Sequence, residues 1–286
     1  MPVQLLTVSF ANRTTSRAET PSFTLCLAGY AHLAVIMIHA GCRRIILLSQ
    51  IQQEYTLINK TFESVAAALD GIADGSVIMV GGFGTAGMPS ELVDGVIASG
   101  ARELTIISNN AGNGEIGLAA LLKAGRVAKV ICSFPRQSDS YVFDELYLAG
   151  KVQLEVVPQG NLAERIRAAG SGIGAFYSPT GYGTLLAEGK ETRVIDGRNY
   201  VLEMPLRADV ALIKAEKGDR WGNLTYRKAA RNFGPIMAMA ATTTIAQVSR
   251  IVELGELDPE HIITPGIFVQ RVVAVSRPPI SNANVN

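Results

Sequence analysis

Charge is scarce in this chain, and aromatic rings are scarcer. Lys, Arg, Asp and Glu make up 18% of its 286 residues and Phe, Trp and Tyr 6%, with a formal net charge of +1. Without a one-signed field, nothing draws the chain to nucleic acid or to an anionic membrane. With so few rings there is no platform for stacking bases. Cysteine is limited to Cys26, Cys42 and Cys132, an odd number with no CxxC spacing. Neither a disulfide framework nor a zinc site is indicated, and a reducing, cytoplasmic setting is expected. The three histidines, His32, His39 and His261, are scattered, which speaks against a metal cluster. The apolar run at residues 25–38 is broken by a histidine and falls short of the ~20 residues that span a bilayer.

What the chain does have is apolar substance. Hydrophobic residues reach 48%, enough for a substantial core and too many for disorder. The length fits one large α/β domain or two small ones. Residues 1–56 read differently from the remainder. They open with Arg13, Ser16 and Arg17 and a single acid, Glu19, before two short apolar runs separated by Arg43-Arg44. An over-extended start, an organelle transit peptide and a genuine extra element all remain open for them. The expected division is an extension at 1–56, a folded body at 57–276 and a disordered tail at 277–286, where Pro278-Pro279 meets a run of Ser and Asn.

The body alternates between strand and helix patterns. A helix is expected over 61–69, a buried strand over 77–80, a helix opened by Pro89 and running to about 97, and a strand over 104–108. A loop at 112–117, a helix at 118–123 and a strand at 127–133 follow. Then come a helix at 141–149, a strand at 152–157 and a helix at 161–169. This rhythm indicates an α/β fold with an open, mostly parallel sheet flanked by helices. Right-handed crossovers would gather the loops at 81–87 and 109–112 along the carboxyl edge of the strands. After residue 193, turn signals at Asp196-Gly197, Gly218-Asp219 and Gly222-Asn223 suggest antiparallel strands and a mixed sheet. No internal repeat stands out.

The loop after the first body strand, Gly82-Phe83-Gly84-Thr85-Ala86-Gly87, spells GxGxxG between a strand and a helix. Glycines there let a ligand approach the backbone, and a helix N-terminus offers free amides to phosphate. A tight turn with no ligand is the plain alternative. A dinucleotide site, and with it an oxidoreductase, would need an acid at the end of the next strand for the ribose hydroxyls. Ser108-Asn109-Asn110 stands there instead.

The run Asp74-Gly75-Ser76-Val77-Ile78-Met79-Val80-Gly81-Gly82-Phe83-Gly84-Thr85-Ala86-Gly87-Met88-Pro89 resembles the first signature of the family I CoA-transferases. Further pieces match in order: Ser108-Asn109-Asn110-Ala111-Gly112, Pro158-Gln159-Gly160, Pro179-Thr180-Gly181-Tyr182-Gly183-Thr184, Gly222-Asn223-Leu224 and Ala230-Arg231-Asn232-Phe233. The likeness runs from about residue 58 to 275 and is to the A subunits of 3-oxoacid CoA-transferases. It implies the NagB/RpiA/CoA-transferase-like fold. It also implies CoA-thioester and 3-oxo-acid substrates, no permanently bound cofactor, and a B-subunit partner in an AB or A2B2 assembly. In the family the attack on the thioester comes from a glutamate in a Ser-Glu-Asn-Gly motif on the B subunit. That glutamate forms a mixed anhydride and then a glutamyl-CoA thioester, a covalent route that divides one hard transfer into easier ones. No such motif occurs here. Glu91, Glu103, Glu115 and Glu145 read as solvated surface charges, so no catalytic residue is expected in this chain.

By the same resemblance, Gly81, Gly82, Phe83, Gly84, Thr85, Ala86 and Gly87 would bind the CoA thioester, and Asn109, Asn110 and Gln159 would meet the acyl group. Neutral amides suit that task, because they hydrogen-bond a carboxylate or an oxyanion without trapping either state with a charge. Read without the family, Asn109-Asn110 is simply a turn at a strand end. Residues 133–141 point to members that use a dicarboxylic acid. Arg136 is therefore a candidate for the distal carboxylate, which a guanidinium grips in forked geometry; the competing reading is a surface arginine. Cys132 reads as a small buried hydrophobe, His261 as structural, and Trp221 as either an interface anchor or a core residue.

Overall fold

A computed structural model describes residues 57–136 and 139–275, together with the backbone of three short strands ahead of them. The chain divides into two compact units, residues 1–57 and residues 58–286. In the first, β1 (Gln4–Val8), β2 (Phe23–Leu27) and β3 (Val35–Ile38) form an antiparallel sheet in sequential order. Cys42, His32, His39 and the tail beyond residue 275 lie outside the described residues, and with them the expectation of a disordered tail.

The second unit is built on one large sheet. Its path runs β4 (Thr61–Phe62), β15 (Arg271–Ala274), β14 (Ala241–Val252), β12 (Ala208–Asp219), β5 (Val77–Val80), β6 (Leu104–Ile107), β7 (Val127–Cys132) and β8 (Gln153–Val156). Every neighbouring pair on that path is parallel. The chain winds outward from β5 to β8 and then returns to lay β12 on the other side of β5. The strand order therefore reverses between β5 and β12, the place where open parallel sheets leave a crevice at their carboxyl ends.

The alternation of side chains along each strand fills two cores. Ile78, Val80, Leu104, Ile106, Val130 and Leu212 face one way. They meet α1 (Val65–Leu69), α2 (Ser90–Ser99), α3 (Leu118–Lys123) and α4 (Tyr141–Leu148). Met79, Ile107, Ile131, Ala211 and Ile213 face the other way, against α5 (Gln159–Gly170) and α6 (Gly234–Ala240). Leu92, Leu104, Ile107, Leu162 and Ile166 are fully buried, each contributing about 1.5–3 kcal/mol of hydrophobic stabilisation.

Two expectations change. The helix expected from residue 61 begins at Val65, with the Ser64 hydroxyl capping the Ala67 amide at 3.1 Å. The residues just before it are pulled into the sheet by pairing with β15. The helix after the third loop starts at Gln159, two residues early, because Pro158 takes the cap position. After residue 193, antiparallel pairing falls where the turn signals placed it. It joins β13 (Leu224–Thr225) to β12, and it builds a separate sheet of β9 (Phe176–Ser178), β10 (Thr192–Ile195) and β11 (Arg198–Glu203). Asp196-Gly197 closes the β10–β11 hairpin with both residues at positive φ, 49° and 74°, as a two-residue hairpin turn requires.

Candidate functional site

At the carboxyl edge, β5, β6, β7 and β8 each end in a loop, and these loops surround an open cavity of about 320 Å³. Its walls are Phe83, Gly84, Asn109, Ser133, Phe134 and Gln159. Four segments more than twenty residues apart thus supply one site, because parallel winding delivers every carboxyl end to the same edge.

The β5 loop enters first. Phe83 and Ala86 exchange backbone hydrogen bonds of 2.9 and 3.2 Å, so Gly84 and Thr85 form the tip of a closed turn. Gly84 has φ 59°, and a side chain there would meet nothing within 4 Å. Gly87 is glycine for a different reason. At φ 75°, a Cβ would stand 2.6 Å from the Ala230 carbonyl oxygen. Asn232 fixes that approach by donating its carboxamide to the Ala86 carbonyl at 2.9 Å. The amides of Gly84 and Thr85 have no hydrogen-bond acceptor among the described residues.

Asn109 follows β6 and is 4% exposed. Its side-chain oxygen accepts from the Ser133 hydroxyl at 2.9 Å, and its carbonyl accepts from the Ser133 and Phe134 amides at 3.2 and 3.1 Å. Orientation of the carboxamide is thereby settled: the oxygen is engaged and the NH₂ has no acceptor among the described residues. Gln159 is the first residue of α5, whose cap, Pro158, offers no side chain to the free amides. The positive end of that helix dipole lies at the cavity rim and favours negative charge.

Of the CoA-binding candidates, Gly81, Gly82, Thr85, Ala86 and Gly87 do not line the cavity, and of the acyl-site candidates Asn110 and Arg136 do not. Asn110 is buried behind it, its side-chain oxygen accepting from the Gly112 amide at 2.9 Å. Arg136 is exposed and gives its Nε to Asp144 at 2.7 Å. Ser133 and Phe134 stood out in sequence only as part of a family stretch, yet both line the site. Phe134 and Phe83 are 58% and 49% exposed, an apolar mouth that solvent alone does not explain.

No wall residue carries an acid. Of the four glutamates near in sequence, Glu115 pairs with Lys123 at 2.8 Å. Glu91 is half-buried rather than solvated, its carboxylate bonded to the buried Gln247. Glu103 and Glu145 are exposed elsewhere. Cys132 is buried, and burial pushes its thiol up to about 12 despite a Phe134 amide nearby, which leaves almost no thiolate for attack. Exposed His261 pairs with Asp258 at 3.2 Å, and Trp221 is 46% exposed and so not a core residue. Among the described residues no group of acids, cysteines and histidines fits a metal ion, and no helix is long and apolar enough to cross a membrane.

Contrary to expectation, the chain does carry one internal repeat. Gly112-Asn113-Gly114-Glu115-Ile116-Gly117, between β6 and α3, repeats the spacing of residues 82–87 and reproduces their backbone. Asn113 bridges Ile116 as Phe83 bridges Ala86. Gly114 and Gly117 have φ 58° and 56°, against 59° and 75° at Gly84 and Gly87. The difference is in the donors. Where Gly84 leaves its amide free, Gly114 gives its own to the Asp139 carbonyl at 2.9 Å, and Asn113 accepts from the Asp139 amide at 3.2 Å.

Comparison with known proteins agrees with this geometry. Residues 62–275 match the family described as Coenzyme A transferase. The chain is 86% identical over 220 residues to the A subunit of 3-oxoadipate CoA-transferase from Pseudomonas putida, covering 77% of this chain and 95% of that protein. It is 67% identical over 227 residues to the subunit of the same description from Acinetobacter baylyi (strain ATCC 33305 / BD413 / ADP1), covering 79% and 100%. Its fold superposes on an acyl-CoA transferase from Escherichia coli O157:H7, solved as a thioester complex with CoA, with a TM-score of 0.68 at 21% identity. That match covers 80% of this chain and 50% of the other.

Proposed function

The chain belongs to the coenzyme A transferase family, and on that footing we propose that it is the A subunit of a 3-oxoadipate CoA-transferase. It moves CoA from succinyl-CoA to 3-oxoadipate, a step in the breakdown of aromatic compounds by the β-ketoadipate route in the cytoplasm. A B subunit supplies the attacking glutamate. The observation that carries this reading is a cavity furnished with neutral donors and no acid, half of what acyl exchange needs. The choice of 3-oxoadipate over acetoacetate rests on the likeness to the two 3-oxoadipate subunits, and a dinucleotide oxidoreductase is disfavoured by Asn109 standing where a ribose-binding acid would be.

In this reading the partner's carboxylate attacks the thioester carbonyl, the C–S bond breaks, and CoA leaves as thiolate from a succinyl–glutamyl anhydride. The thiolate then attacks the glutamyl carbonyl and expels succinate. The 3-oxoadipate carboxylate attacks the resulting glutamyl-CoA and expels thiolate, which takes the oxoadipyl group from the second anhydride and restores the glutamate. Each addition places negative charge on a carbonyl oxygen. The free Gly84 amide, the Asn109 carboxamide and the amides opening α5 at Gln159 receive that charge or the substrate carboxylate without being reorganised, which is where such donors contribute most. Phe83 and Phe134 close the mouth against water, which would otherwise hydrolyse the anhydride. Asn110 acts one layer back, holding the turn that orients Asn109. Arg136 meets the distal carboxylate only by leaving Asp144.

The test is co-expression with a B subunit followed by transfer assays, using both the full chain and residues 57–276, the part to which we assign the function. The expected result is CoA transfer to 3-oxoadipate in preference to acetoacetate, equal in both forms and dependent on the partner. Light scattering of the pair distinguishes AB from A2B2. Preference for acetoacetate, or turnover by the lone chain, would overturn the reading.

A further inference from the structure

Arg227 caps a short 3-10 turn, Lys228–Arg231, between β13 and α6, and these five positions carry three cations: Arg227, Lys228 and Arg231. All three are exposed, and none has a carboxylate partner among the described residues. Elsewhere in the unit, several cations do have carboxylate partners. Arg165 and Lys190 share Glu203, Lys129 takes Glu155 and Lys123 takes Glu115. The unpaired turn sits against the glycine loop itself. The Ala230 carbonyl occupies the space a Cβ at Gly87 would need, and Asn232 joins the two backbones through the Ala86 carbonyl. Lys228 adopts φ 50°, a left-handed conformation that a non-glycine residue keeps only where the surroundings enforce it.

The geometry points to this turn as the site that grips the phosphates of the CoA nucleotide, while the thioester end lies in the cavity at the other end of the same loop. This inference rests on the CoA-transfer reading and adds the subsite for the far end of the substrate. The ligand chemistry follows from the charge. A single distal carboxylate needs one fork, whereas three unpaired cations on one turn match a diphosphate with a further phosphate monoester. Guanidinium binds phosphate oxygens in pairs and lysine adds a mobile point charge. Long side chains let the turn reach outward while its backbone stays on the loop. An acidic face of the partner polypeptide is the competing occupant, and assembly measurements distinguish it.

The test compares succinyl-CoA with succinyl-pantetheine, which keeps the thioester and lacks the nucleotide, on the assembled pair. Arg227→Ala with Arg231→Ala should raise KM for succinyl-CoA roughly 10- to 100-fold, the loss of one or two charge-assisted bonds. It should leave kcat/KM for succinyl-pantetheine unchanged, with normal assembly by size-exclusion chromatography. Lys228→Gly guards against misfolding. Relief of the left-handed backbone should hold or raise Tm while KM for succinyl-CoA rises, a pairing that a purely structural role does not give. Calorimetric binding of adenosine 3′-phosphate 5′-diphosphate to wild type and variants needs no turnover. If the wild-type pair fails to transfer CoA yet binds this nucleotide through the turn, the function assigned above fails and the phosphate site stands. Equal loss with both thioesters, loss of assembly, or nucleotide binding indifferent to the three substitutions overturns it.

Discussion

The turns at 82–87 and 112–117 share spacing, backbone bridge and glycine dihedrals, yet only one lines the cavity. In the second turn Asp139 satisfies the Gly114 amide and Asn113, and Lys123 takes the tip carboxylate. In the first, the Gly84 amide, which matches that of Gly114, is left without an acceptor among the described residues, and two phenyl rings stand at the mouth. A glycine pattern therefore specifies a backbone path. Whether that path is a binding site depends on which donors the neighbouring segments leave free.

Substitutions in and beside the two turns test this difference. Asn109→Ala has the largest expected effect on turnover. Losing an oriented neutral donor should cost kcat/KM about 10²-fold, read in a steady-state assay of the assembled pair, while Asn113→Ala leaves it unchanged. Gly87→Ala and Gly117→Ala come next. The first combines positive φ with a 2.6 Å approach to backbone and the second has only a 3.9 Å neighbour. Urea unfolding should show a loss of about 2–4 kcal/mol for the first and about 1 kcal/mol for the second. Gly84→Ala and Gly114→Ala form the sharpest pair. Both sit near φ 58° with open space around them, so both should lose about 1 kcal/mol. Only Gly84→Ala should also slow transfer, by roughly tenfold. Equal kinetic loss at both positions would mean that the shared backbone, and not the free donor, is what matters.

The smallest effect belongs to Glu115. Its hydrogen bond to Lys123, and then one to Tyr141, hold its carboxyl below the ordinary glutamate range. A lowered folded-state pKa contributes stability above the unfolded value that is lost as pH falls through the folded one. The group is solvent-exposed, so Glu115→Gln should leave Tm unchanged. NMR titration should show the Glu115 carboxyl moving back toward the ordinary range in Lys123→Ala.

Strand and helix positions were legible wherever one residue type dominated the local physics. Val77–Val80 and Leu118–Lys123 fall where apolar periodicity placed them, and Asp196-Gly197 made the hairpin its composition required. Less legible was pairing across distance. Nothing local shows that residues 208–219 and 241–252 are long parallel strands, because their register is fixed only by β5 and β15. At the site, Gly84, Asn109 and Gln159 were found through motifs, and the cavity brings all three together. Ser133 has no local signature because its hydroxyl bond to the Asn109 side chain comes from another strand's end. Arg136 looks available in sequence because Asp144, eight residues on in the first turn of α4, carries no signature. The two glycine turns cannot be told apart locally, because Asp139, which covers the second, lies more than twenty residues on.

In the proposed division of labour, this chain binds and polarises the acyl group while another polypeptide attacks it. The direct measurement is intact-protein mass spectrometry of the assembled pair quenched within milliseconds of adding succinyl-CoA. The expected result is a CoA adduct on the partner alone, at a single carboxylate, with this chain unmodified. An adduct on a side chain of this chain would contradict it.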